Sequence, residues 1–114
     1  MGDSNMSYES VYLICQQASV SERSPINMDG SEFVVGVAVV PAETRDQALD
    51  LLNDYFHRNH MALMTLESVH KYEDNSAELS DIVTDDVTYA IASARQRGEV
   101  MYVCTETSET LNDQ

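Results

Sequence analysis

The sequence predicts an α+β domain: a two-layer sandwich in which one mixed four-stranded sheet carries two helices, in the order β-β-α-β-α-β. Three observations lead there. Blocks rich in Val, Ile and Tyr at 8–17, 31–40 and 99–106 have the composition and length of strands. Two segments place apolar residues at helical intervals behind a capping hydroxyl residue, Thr44 in one and Thr84 or Ser80 in the other. The 114 residues suffice for one hydrophobic core and not for two. The domain is expected over 8–105, between a patternless polar start at 1–7 and a polar tail at 106–114.

The first strand is read in "YESVYLICQQ", residues 8–17, from its β-branched, aromatic and apolar content. The second, "SEFVVGVAVV" at 31–40, has five valines, follows the turn signal Asp29-Gly30 and is stopped by Pro41. Its alternate residues Phe33, Val35, Val37 and Val39 are bulky, whereas Val34, Gly36, Ala38 and Val40 have a small centre. Both faces are apolar, which predicts a strand covered on both sides or facing a subunit partner. The intervening "ASVSERSPINMDG", residues 18–30, has no period and reads as an exposed loop, long enough to be a candidate contact surface.

"RDQALDLLNDYFHRNH", residues 45–60, follows a capping box formed by Thr44 and Gln47. At 100° per residue, Ala48, Leu49, Leu51, Leu52, Tyr55 and Phe56 share one broad face, and Asp46, Asp50 and Asp54 centre on the other. Like charges at this spacing repel. Asp46 is offset by the helix dipole and Asp54 by Arg58 four residues on, each worth at most ~1 kcal/mol at an exposed site. Only Asp50 has no local compensation.

"HMALMTLESVH" supplies the third strand, at about 61–70, completing a strand-helix-strand unit. Residues 71–86 carry turn formers and six acids. A second helix then runs through Val87, Ala90, Ile91 and Ala94, capped by Thr84 or Ser80 and ended by Gly98. Its narrow alanine stripe suits close approach to a sheet, and the Gly36 and Ala38 face is the expected seat. "EVMYVCTE" closes the domain as a strand. The order departs from the β-α-β-β-α-β pattern of ferredoxin-like domains. If the first and last strands are neighbours, Cys15 and Cys104 lie close together.

The charge balance stands out: 20 Asp and Glu against 6 Lys and Arg, a formal net charge of −14, with Lys71 the only lysine. Such a field repels phosphate, so direct binding of nucleic acid or an anionic membrane is not expected, and a cationic partner is favoured. The longest apolar runs are too short to span a bilayer, and no targeting segment is read at the N-terminus, so a cytoplasmic protein is expected. Cys15 and Cys104 are 89 residues apart and read as reduced small hydrophobes.

No phosphate loop, dinucleotide fingerprint, nucleophile elbow or H-E-x-x-H motif occurs. His57, His60 and His70 fall within one stretch, but an intervening strand separates the last from the other two. The acids at 73–86 do not match a calcium loop. No catalytic residue, metal ligand or cofactor is therefore nominated. The expected function is a non-catalytic acidic interaction protein that docks on and inhibits a basic, nucleic-acid-binding type of protein, through Asp46, Asp50, Asp54, Glu73, Asp74, Glu78, Asp81, Asp85 and Asp86. Mimicry of nucleic acid needs both groups on one face, because a single row has one acid per ~6 Å against one phosphate per ~3.4 Å of a DNA strand. One alternative is a small-molecule-binding or regulatory domain that forms a homodimer through the apolar 32–40 strand. Another is a small enzyme that brings a histidine beside a cysteine, serine or carboxylate.

Overall fold

A computed structural model describes residues 10–21, 23, 24, 30, 32–72 and 82–107. The first strand, β1, is Val11–Val20, and the second, β2, is Phe33–Pro41. They pair antiparallel with Val11 opposite Pro41 and Ser19 opposite Phe33. The ladder is closed by a bond from the Val20 amide to the Glu32 carbonyl (3.0 Å). β1 thus takes in Ala18, Ser19 and Val20, which the sequence assigned to a loop, because Val34, Phe33 and Met61 give them strand partners. Gly30 has a positive φ of 77°, as a turn glycine should. The remainder of the predicted loop lies largely outside the described residues.

The first helix, α1 (Arg45–Arg58), starts as its capping residues require: the Gln47 amide donates to Thr44 Oγ1 (3.1 Å). The reciprocal bond runs from the Glu43 amide to Gln47 Oε1 (2.8 Å), one residue earlier than the usual box. At the other end Asn59 donates from its amide to the carbonyls of Tyr55 and Phe56 (3.1 Å each), and its Nδ2 bonds Tyr55 again (2.8 Å). His60 then turns the chain with a left-handed φ of 58°, an uncommon conformation for a residue with a Cβ. The third strand, β3 (Met61–Tyr72), follows at once. The second helix, α2 (Asp85–Arg97), has Thr84 as N-cap and Gly98 as left-handed C-cap at φ 68°. The last strand, β4, is Met101–Thr107.

The α+β class, the four-stranded sheet, the two helices and their order are as the sequence predicts. The strand order is β3-β1-β2-β4. β3 does run parallel to β2, as a strand-helix-strand unit demands, but β1 lies between them. Every hydrogen-bonded pair is therefore antiparallel, and the expected mixed sheet does not arise.

The layering also differs from a two-layer sandwich. Side chains alternate across a strand, and both faces of β1 and β2 are apolar, so both must be covered. α1 buries Ala48, Leu52 and Phe56 against Tyr12, Ile14, Ala18, Val34, Ala38 and Val40 on one face. α2 buries Val87, Ala90, Ile91 and Ala94 against Val11, Leu13, Val37 and Val39 on the other. The result is three layers, helix on sheet on helix.

The seat of α2 is thus the bulky valine face and not the Gly36 and Ala38 face. Size complementarity explains the exchange. The alanines of α2 leave room for valines, whereas the large Leu52 and Phe56 of α1 need the small centre of β2, into which Tyr102 of β4 also packs. β1 and β4 are separated by β2, so the expected proximity of Cys15 and Cys104 fails as well. Cys15 lies with the α2 core, while Cys104 pairs with Gly36, whose neighbours Val34 and Ala38 line the α1 side.

Candidate interaction surface

The outward face of α1 carries the acid row as its periodicity predicts. Asp46, Asp50 and Asp54 are all exposed. Asp54 Oδ2 accepts from Arg58 Nε at 2.9 Å, the i, i+4 pair expected from the sequence. Both partners are well exposed, at 63% and 62%, so the pair adds little stability. Among the described residues Asp46 and Asp50 enter no ion pair.

Asp85 and Asp86 are exposed in the first turn of α2, where the helix dipole favours them. They belong to the helix on the far face of the sheet from α1. The described members of the two acidic groups are therefore separated by the sheet and do not make the double row that mimicry of a nucleic acid requires. Glu73, Asp74, Glu78 and Asp81 lie outside the described residues.

The histidines do not converge. His57 is exposed on α1, His60 is exposed in the turn with its carbonyl accepting from the Ser21 amide (3.1 Å), and His70 is half-buried opposite Leu13. Among the described residues no three His, Cys, Asp or Glu side chains could hold a metal ion. No helix among them is long and apolar enough to cross a membrane.

Three features escaped sequence reasoning. The first is a polar contact inside the α1 core. Gln16 is fully buried, donates from Nε2 to the Gly36 carbonyl (3.2 Å), and accepts at Oε1 from the Tyr102 hydroxyl (3.1 Å). Tyr102 also stacks on Tyr55 (centroids 6.2 Å, 23° between planes) and meets Phe56 edge-on (6.0 Å, 73°). Burial pushes both phenols above the ordinary tyrosine range. For Tyr102 the Gln16 bond opposes the shift, and for Tyr55 the nearby Arg58 charge does.

The second is a cavity of about 340 Å³ between α1 and the turn from α2 to β4, lined by Leu51, Tyr55, Arg58, Gly98, Glu99 and Val100. The third is the surface of β3, where Leu63, Met64 and Leu66 are 38%, 51% and 37% exposed. Their composition alone reads as a buried strand. Two bulges hide the alternation that would have shown otherwise: the pairing with β1 skips Glu67 between Cys15 and Gln16, and Met64 between Gln17 and Ala18.

The doubly apolar β2 is not available for dimerisation, since a helix covers it on each side and β1 and β4 flank it. Comparison of the chain with protein-family models, curated proteins and solved structures finds no match.

Proposed function

We propose that this protein is a non-catalytic acidic interaction protein that docks on a basic protein and occludes its anion-binding surface. The observation that carries the reading is the α1 row. Three aspartates project from one exposed helix face in a chain of net charge −14, and two of them have no ion-pair partner among the described residues. Packing does not require them, because the buried face of α1 is made by Ala48, Leu52 and Phe56. Clustered carboxylates of this kind raise the encounter rate with a cationic surface and disfavour anionic competitors. The proposed interface is a single acidic row with its surroundings, and is not a replica of a nucleic-acid backbone.

The test is capture from native lysate by the full chain at low and at high salt, beside a chain carrying Asp46→Lys, Asp50→Lys and Asp54→Lys. A basic protein retained at low salt, released at high salt and lost with the triple variant supports the reading. Retention that ignores salt and the three substitutions would defeat it.

A second reading is favoured by the cavity beside Tyr55, which offers an aromatic wall, the Arg58 guanidinium and the Glu99 carboxylate to a small amphipathic molecule. Under that reading a ligand that raises the melting temperature loses its effect in Leu51→Trp, which fills the cavity from its rim.

A further inference from the structure

Among the described residues β3 forms one end of the sheet and pairs with β1 alone, so alternate backbone N–H and C=O groups along Met61–Tyr72 face away from it. The segment from Ala62 to Glu67 is exposed throughout, with Leu63, Met64 and Leu66 among the largest exposed apolar side chains. Met61–Leu66 carries no charged side chain, and the whole strand holds one acid, Glu67, and one lysine, Lys71. An apolar, uncharged edge of this length is a template for another strand.

Two features select the occupant. A second copy would bring a net charge of −14 against −14. It would also present an edge already bent by bulges at Met64 and Glu67, and two bulged edges held in rigid sheets do not lie flat against each other. A free extended segment of a cationic chain meets neither obstacle. It can follow the local twist, and its charge is opposite to that of the molecule it approaches.

We infer that the β3 edge receives an extended segment of the partner, with alternating apolar and basic side chains, as a fifth strand of the sheet. Its backbone continues the ladder beyond β3. Its apolar side chains cover Leu63 and Leu66, which share a face with Met61 and Val69, and its basic side chains are held by Glu67 and the acidic field of the domain. This site rests on the proposed function, since it is the acidity of the domain that makes the segment cationic.

The probe is a blocked peptide of alternating Arg and Val, about eight residues long, added to the isotope-labelled full chain at low salt. Two companions accompany it: the same peptide N-methylated at alternate residues, and a peptide with Glu in place of Arg. The expected result is slowed amide exchange confined to Met61–Tyr72, at least tenfold weaker binding of the N-methylated form, and no binding of the Glu form. Leu63→Lys and Leu66→Lys should weaken the Arg peptide tenfold or more while leaving the fold intact, because both sites are exposed.

Binding that shifts only α1 signals and ignores N-methylation would overturn the strand site while leaving the basic partner in place. Failure of the Arg peptide to bind, together with no salt-sensitive capture from lysate, would remove both. Protection of β3 amides without peptide, growing with protein concentration, would assign the edge to a second copy and overturn the inference.

Discussion

Tyr102 lies across Gly36 so closely that a Cβ at position 36 would stand 2.8 Å from the tyrosine hydroxyl oxygen and 2.5 Å from the Val103 carbonyl oxygen. The second clash is with backbone and cannot be relieved by a rotamer change. Gly36→Ala must therefore displace β4 next to its register shift, where the pairing passes from Val35–Glu106 to Gly36–Cys104. The expected cost is about 2–3 kcal/mol, in line with overpacking elsewhere. Urea unfolding should show a lower midpoint with an unchanged slope.

The bond between Tyr102 and Gln16 predicts a measurable coupling. Tyr102→Phe removes the donor to a buried Gln16 Oε1 and should cost about 1 kcal/mol, and Gln16→Leu strands the Tyr102 hydroxyl at similar cost. Replacing both partners leaves neither group stranded. A double-mutant cycle should therefore give an interaction energy of about 1 kcal/mol, and additive losses would contradict the bond.

Alkaline pH should destabilise the fold through Tyr55 and Tyr102. Both phenols are held above the ordinary value of 10.0 in the folded state, chiefly by burial. Below that pH folded and unfolded chains alike keep these protons, so stability is insensitive to them. Above it the unfolded chain releases them first, and stability falls as pH rises toward the folded-state values. Melting temperatures recorded above pH 10 should fall less steeply in Tyr102→Phe than in the parent.

Asp50 should be costly to the helix and useful to the interface. It stands four residues from both Asp46 and Asp54, and Asp50→Asn relieves both repulsions. At low salt the variant is expected to be more stable by about 0.5 kcal/mol, a gain that vanishes at high salt. It should also bind the basic partner more weakly. Greater stability with undiminished binding would exclude Asp50 from the interface.

The two cysteines should not form an intramolecular disulfide. Their strands are two positions apart, so their Cα atoms are separated by roughly 10 Å, beyond the ~7 Å limit for a bridge. Cys104 is exposed and Cys15 half-buried, and neither is in a disulfide. A thiol reagent should label Cys104 first, and mild oxidation should yield no cross-link within one chain.

Features set by neighbouring residues were readable in the sequence. Thr44, Thr84 and Gly98 act within a turn of their own positions, so the start of α1 and the end of α2 follow from the sequence, and the start of α2 is narrowed to Thr84 or Ser80, of which Thr84 is the cap. The outward placement of Asp46, Asp50 and Asp54 follows from the helical period. What depends on distant residues was not readable. The small centre of β2 suggested a seat for a thin helix, but Gly36 is small because Tyr102 arrives from β4, some sixty-six positions away. Which helix takes which face decides whether Asp85 and Asp86 can join Asp50, and that depends on matching volumes across three layers. The exposure of Leu63, Met64 and Leu66 was concealed because bulges break the period on which a half-buried strand is recognised.

The order β3-β1-β2-β4 places the two earliest of the described strands at the centre of the sheet and adds the later ones outward on either side. A nascent chain leaving the ribosome therefore presents the inner hairpin before α1, β3, α2 and β4, which dock upon it. Growth from the middle lets each newly emerged strand find its neighbour already formed. β4, which carries Tyr102 into the α1 core, is made after the other three described strands, so that core waits for a segment more than forty residues beyond the helix it packs against.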